Sequence, residues 1–182
     1  KYMFFAAISA KDARLKVERL YYMYRKLMYK EAYSILQDKH LAEDAISESF
    51  IRIINNLHKI DENDCPRTRN FLVIICRNVA KDIYRKRRSE SIIGITDDTE
   101  SELISDNNPS DIVIGKESAK RLAECISQLD PKYRDIFLLR RAYNMSREDI
   151  AKTVGISEEA VKKRLQRAKA MILKEYSKEQ IK

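Results

Sequence analysis

Three observations predict an all-α fold of two small helical domains joined by an acidic linker. The 182-residue sequence holds only three glycines, three prolines and no tryptophan, and is rich in Leu, Ile, Lys, Glu, Arg and Ala, which favours helices over turn-rich sheets. Apolar residues recur at three- and four-residue spacings on both sides of a central stretch. That stretch, residues 89–115, has no Lys or Arg but seven acids (Glu90, Asp97, Asp98, Glu100, Glu102, Asp106 and Asp111), with Gly94, Asn107, Asn108 and Pro109 as breakers. The predicted division is a domain over 1–89, a linker over 90–115 and a domain over 116–182.

In the first block, Val17, Leu20, Tyr21, Tyr24, Leu27 and Met28 follow Arg14 at helical spacing, and Ile35 and Leu36 continue them up to a polar turn at 37–40. A second helix is predicted over 41–59. Leu41, Ala45, Ile46, Phe50, Ile53, Ile54 and Leu57 share one side of it, and Glu43, Asp44, Ser47, Glu48, Ile51, Arg52 and Asn55 the other. Residues 61–70 are predicted to be a loop, because Pro66 opposes helix continuation and Asp, Asn and Thr supply turn chemistry. A third helix follows over 71–88.

The second block opens with a helix near 111–127, turns at 128–131 and resumes as PKYRDIFLLRRAY, where Pro131 suits a first helical position. The stretch NMSREDIAKTVGISEEAVKKRLQRAKAMIL then predicts a short helix capped by Ser146, with Asp149 three residues on, a turn through Gly155, and a long helix capped by Ser157. Ile150, Ala151 and Val154 make one apolar face, Ile156 plugs the turn, and Val161, Leu165, Ala168 and Ile172 make the other. A short helix, a glycine turn and a longer amphipathic helix form a helix-turn-helix pattern.

The formal net charge of +8 points to an anionic partner such as nucleic acid or a lipid surface. No apolar run approaches the ~18 residues needed to span a bilayer, and the run at 3–8 is too brief for a signal peptide. Cys65, Cys76 and Cys125 lack CxxC spacing and read as reduced, mostly buried thiols of a cytoplasmic protein. His40 and His58 have no ligand-spaced neighbours, so no metal or cofactor is expected. Without a metal-spaced carboxylate cluster or a Ser/His or Cys/His arrangement, an enzyme is not expected either.

The last helix presents Glu158, Glu159, Lys162, Lys163, Gln166, Arg167 and Lys169 opposite its apolar stripe. In a major groove about 12 Å wide, Lys and Arg can bond guanine or phosphate, Gln can pair with adenine, and Glu can accept from cytosine. Glu158 reads as an anion stabilising a helix N-terminus, whereas Glu159 fits that role and a base contact equally. The third helix is a second basic centre, with Arg67, Arg69, Arg77, Lys81, Arg85, Lys86, Arg87 and Arg88 against Asp82 and Glu90. Asn78 can bond a base edge, and Phe71 and Tyr84 offer rings on which an unpaired base can stack. The same RKRR run also suits a helix C-terminus that binds nothing, and the segment alone supports both readings equally. On the second helix, Glu43, Asp44 and Glu48 with apolar Ile51 suit a protein-binding face, since acids repel phosphate; a solvated face fits as well.

Taken together, these stretches resemble the extracytoplasmic-function (ECF) alternative sigma factors of bacterial RNA polymerase. HLAEDAISESFIRIINNL resembles that family's polymerase-binding helix and RTRNFLVIICRNVAKDIYRKRR its promoter-melting helix. LAECISQLDPKYRDIFLLRRAYNMSREDIAKTVGISEEAVKKRLQRAKAMIL resembles its region-four module, and the two modules occur in order over residues 15–176. The resemblance implies a cytoplasmic, non-enzymatic specificity subunit without a cofactor. Its partners would be core RNA polymerase, at the clamp coiled coil and the flap, and promoter DNA, double- and single-stranded; an anti-sigma protein is a further partner the resemblance admits. By position it implies polymerase contacts at Glu43, Asp44, Ser47, Glu48 and Ile51. It implies promoter opening at the minus-ten element by Arg67, Arg69, Asn78, Lys81, Asp82 and Arg85, with the 61–70 loop catching a flipped base. Reading of the minus-thirty-five duplex falls to Glu159, Lys162, Lys163, Gln166, Arg167 and Lys169, with phosphate held at the capped helix start near Ser146 and Arg147. The chain departs from the family's usual Trp at Phe71, its common Gln at Ser47 and its frequent Thr at Ala160. The alternative is a stand-alone helix-turn-helix regulator whose N-terminal helical block senses a ligand or dimerises.

Overall fold

The computed structural model describes residues 11–91 and 116–178. Among them are seven α-helices and no strand: α1 (Lys11–Leu36), α2 (Lys39–Ile54), α3 (Cys65–Ser91), α4 (Lys116–Gln128), α5 (Pro131–Arg141), α6 (Arg147–Val154) and α7 (Glu158–Lys178). A single 3-10 turn, Leu57–Lys59, stands between α2 and α3. The chain divides into two compact units, one built on α1–α3 and the other on α4–α7. Most of the acidic stretch, residues 92–115, lies outside the described residues.

In the first unit the three helices pack pairwise around one core. Val17, Leu20 and Met28 of α1, Ala45, Ile46, Phe50 and Ile53 of α2, and Phe71, Leu72, Ile75, Cys76 and Val79 of α3 are all buried. Their three- and four-residue spacings put each set on one stripe of its helix, as an amphipathic pattern requires. The Phe50 ring meets Tyr21 edge-on, with centroids 5.2 Å apart. Between α1 and α2 the chain reverses at Gln37, which takes a left-handed φ of 52°. Asp38 then caps α2, accepting from the Leu41 amide at 3.0 Å and the His40 amide at 2.8 Å. These bonds, the Leu41 amide foremost, hold the Asp38 carboxyl below its ordinary range.

Helix boundaries differ from the sequence reading at both ends of the α2–α3 connection. α2 stops at Ile54 rather than 59, and the 3-10 turn replaces its expected last residues. α3 starts at Cys65 rather than 71, so most of the predicted 61–70 loop is helical, Arg67 and Arg69 included. Pro66 lies in the first turn of α3, where a missing N–H forfeits no helical bond. Asp64 starts that turn by accepting from the Arg67 amide at 3.1 Å, so the proline helps to begin a helix instead of breaking one. α3 also continues to Ser91, beyond the expected start of the linker.

The second unit closes around Cys125, Leu129 and Tyr133 packed on Ala168 and Ile172 of α7, with Leu122, Ile126, Phe137 and Tyr176 against them. Pro131 opens α5 as predicted, beside Asp130, whose side chain accepts from the Lys132 amide at 2.8 Å.

Two of the three thiols are core residues and one is at the surface. Cys76 and Cys125 are buried and Cys65 is exposed. Cys76 donates its S–H to the Met28 carbonyl at 3.3 Å, and burial pushes its pKa up to about 12. At about pH 8, iodoacetamide should label Cys65 in the native protein and reach Cys76 and Cys125 only after denaturation. Peptide mass spectrometry checks this.

Candidate functional site

α6 and α7 form the helix-turn-helix that their sequence predicts. Ser146 Oγ accepts from the Asp149 amide at 2.9 Å, and Ser157 Oγ accepts from the Ala160 amide at 3.1 Å. Gly155 takes a φ of 72°, where a side chain would be strained. The Ile156 amide closes the turn by donating to the Ala151 carbonyl at 3.1 Å. Before α6, Arg140 of α5 donates from Nη1 to the Met145 carbonyl at 2.8 Å, tying the preceding loop to α5.

With Val161, Ala168 and Ile172 turned inward, helical geometry sorts the polar residues of α7 into two adjacent rows. Lys162, Gln166 and Lys169 form one; Glu159, Lys163 and Arg167 form the other. The first row lines a cleft of about 360 Å³ together with Arg147 of α6, Leu165 of α7, and Phe137, Arg140 and Arg141 of α5. Thus Arg147, Lys162, Gln166 and Lys169 are brought together. Glu159 and Lys163 are exposed and lie outside that lining, as does Arg167, and the Ser146 hydroxyl is used as a cap. Arg140 and Arg141 were missed by the sequence reading. Their signal is the RR pair near the end of PKYRDIFLLRRAY, but only the fold reveals that this end of α5 borders α7.

On α3, the inward stripe leaves Asn78, Lys81, Asp82 and Arg85 on the helix flank. The Asn78 amide donates to the Ile74 carbonyl at 2.8 Å, one turn back in its own helix. Asp82 accepts from Arg85 at 3.2 Å and from Arg52 of α2 at 3.4 Å. Arg77 pairs with Glu31 of α1 at 3.4 Å, which turns it toward the bundle. Arg67, Arg69 and the Tyr84 ring are exposed.

On α2, Asp44, Ser47 and Ile51 are exposed, and 48% of Ile51 faces solvent although it is apolar. Glu43 and Glu48, predicted on the same face, are engaged within the unit: Glu43 accepts from Arg25 at 2.6 Å and Glu48 from Arg52 at 3.1 Å. The Arg25 guanidinium also lies 5.8 Å from the centre of the Tyr21 ring.

A helix-turn-helix with a cation-rich outer face, a separate basic helix with an exposed ring, and an acidic stripe with an exposed isoleucine define a helical DNA-binding protein of two modules. Comparison with known proteins specifies the class. The family model described as Sigma-70 region 2 matches residues 20–90, and the one described as Sigma-70, region 4 matches residues 119–172. The chain is 27% identical over 146 residues to the ECF RNA polymerase sigma factor SigX of Bacillus subtilis, covering 79% of this chain and 74% of that protein. It is 29% identical over 157 residues to the ECF RNA polymerase sigma factor SigM of the same organism, covering 85% of this chain and 91% of that one. Among solved structures, the sigma factor RpoE in complex with the anti-sigma factor NepR from Bartonella quintana aligns with 88% of this chain and 96% of its own. That alignment has 18% identity and a TM-score of 0.36. The chain belongs to the sigma-70 family and is a sigma factor of the ECF type, which directs RNA polymerase to promoters. The stand-alone regulator is therefore not the favoured reading.

The Ser157 cap holds the start of α7. Ser157→Ala should lower the stability of the second unit by about 1 kcal/mol, measured by urea denaturation.

Proposed function

We propose that this sigma factor divides promoter recognition between its two modules and docks on core RNA polymerase through a third surface. In this reading the domain over 1–89 binds polymerase with the α2 stripe of Asp44, Ser47 and Ile51, flanked by Glu43 and Glu48. It opens the minus-ten element with Arg67, Arg69, Asn78, Lys81, Asp82 and Arg85. The domain over 116–182 reads the minus-thirty-five duplex with both polar rows of α7, while Arg147, Arg140 and Arg141 neutralise phosphate. The residues 90–115 join the two, so the spacing between promoter elements becomes part of the specificity, because both modules must engage at once. The protein would act in the cytoplasm, without catalysis or a cofactor of its own.

The observation that carries this reading is the segregation of charge by helix. The cleft beside α7 gathers five cations, Arg140, Arg141, Arg147, Lys162 and Lys169, whereas the exposed stripe of α2 carries Asp44 and an apolar Ile51. Phosphate attracts the first and is repelled by the second, so the two faces suit DNA and protein respectively. Asp82 fits the opening helix as an organiser, since it sits between Arg52 and Arg85 and orients both.

Run-off transcription with core RNA polymerase over a randomised promoter library tests the function, and initiation that depends on this protein is the expected outcome. Asp44→Arg should weaken binding to core polymerase roughly tenfold while the second domain's duplex binding is unchanged. Lys162→Ala should leave polymerase affinity intact, weaken duplex binding, and reduce the slope of log affinity against log salt by about 1. Equal loss of polymerase affinity in both variants would contradict the division of labour.

A further inference from the structure

We propose that Lys16 and Arg19 of α1 are positioning residues that hold the segment 57–64, and with it the start of α3 that carries Arg67 and Arg69, in the shape that promoter opening requires. The inference rests on the promoter-opening reading above and assigns a role to two residues that lie outside every surface named so far.

The Lys16 ammonium donates to two carbonyls that bracket the 3-10 turn, Leu57 at its first residue at 3.2 Å and Ile60 just past its last at 2.5 Å. The Leu57 carbonyl also accepts from the Ile60 amide at 3.2 Å, so Lys16 adds a second donor to the bond that closes the turn. One turn along α1, Arg19 places its fork on Glu62, Nε to Oε1 and Nη2 to Oε2, each at 2.8 Å. The three-residue spacing puts both cations on one face of α1, so a single rigid helix grips the segment at two points. Tyr24, further along α1, adds a hydroxyl bond to the Cys65 carbonyl at 3.4 Å. The three residues thus reach partners 41 to 44 positions away in sequence.

Within the segment, Asp61 accepts from the Asn63 amide at 2.9 Å, and its carbonyl accepts from the Thr68 hydroxyl at 2.6 Å. Ile60 within the segment and Thr68 in the first turns of α3 are buried and anchor the residues between them. The Glu62 pair differs from these anchors. It lies on the outer side, with the Arg19 side chain 56% exposed, and an exposed ion pair adds little stability. A two-bond fork does fix direction, however, because both oxygens are held in one plane. The Arg19 hydrogen bonds hold the Glu62 carboxyl below its ordinary range, so the pair stays charged at neutral pH. A helix start already ordered before DNA arrives pays less for ordering when it binds, which is the benefit of preorganisation.

The test compares Arg19→Glu, Glu62→Arg and the double exchange, each as the full chain with core RNA polymerase, on the strongest template recovered from the run-off library. Core affinity and thermal midpoint are measured beside permanganate reactivity of unpaired thymines, which reports opening. Each single variant should lower opening about fivefold with core affinity unchanged, and the double exchange should restore it. Lys16→Met, which keeps the stem and removes the ammonium, should act in the same direction. Opening equal to the parent in the single variants, opening that falls only in proportion to core affinity, or failure of the exchange to restore it would overturn the positioning role. A parent chain that opens no template would overturn the promoter-opening reading, and this inference with it.

Discussion

Burial of the Phe71, Leu72, Ile75, Cys76 and Val79 stripe against α1 and α2 is the constraint on which the first unit depends. Each large apolar side chain so buried contributes about 1.5–3 kcal/mol, and the stripe fixes the rotation of α3 about its axis. Once that angle is set, Asn78, Lys81 and Arg85 have no choice of direction; they fall on the flank. Ion pairs such as Arg77 with Glu31 and Arg52 with Asp82 then add orientation more than energy. The same packing places Phe71 inside, so its ring serves the core and is withdrawn from any stacking role on DNA.

The second unit solves a similar problem with fewer residues. Its apolar contacts fix α7, its two serine caps and Gly155 fix where α6 ends and α7 begins, and the polar rows follow from the helical period. Arg140 shows how one side chain links packing to electrostatics: it bonds the Met145 carbonyl and still lines the cleft beside Lys162 and Gln166. The cationic lining is thus supported by the geometry of the loop that precedes α6.

Much of this was legible in the sequence because it depends on local signals. The helix-turn-helix, both caps, the glycine turn and the Pro131 start are set by neighbours within a few residues, and each is present. Pro66 was misread for a physical reason: proline opposes a helix interior but suits a first turn, and only the position of the Asp64 cap distinguishes the two. The cationic cleft was half legible, since Lys162, Gln166 and Lys169 follow one helical row while Arg140 and Arg141 join them only through tertiary packing. Arg19 and Lys16 were not legible at all. Their partners lie more than forty residues away, and nothing in α1 distinguishes these cations from solvated ones.

The separation of duplex reading from strand opening can be tested most directly by site-specific crosslinking in the initiation complex. A photoactivatable aromatic residue at Tyr84, the exposed ring of α3, and another at Lys163, on the outer row of α7, would each report its DNA neighbour. Crosslinks from position 84 confined to the unpaired strand near the start site, with crosslinks from position 163 confined to duplex further upstream, are the predicted result. Both positions marking the same duplex stretch, or position 84 marking no DNA in a complex that initiates transcription, would contradict it.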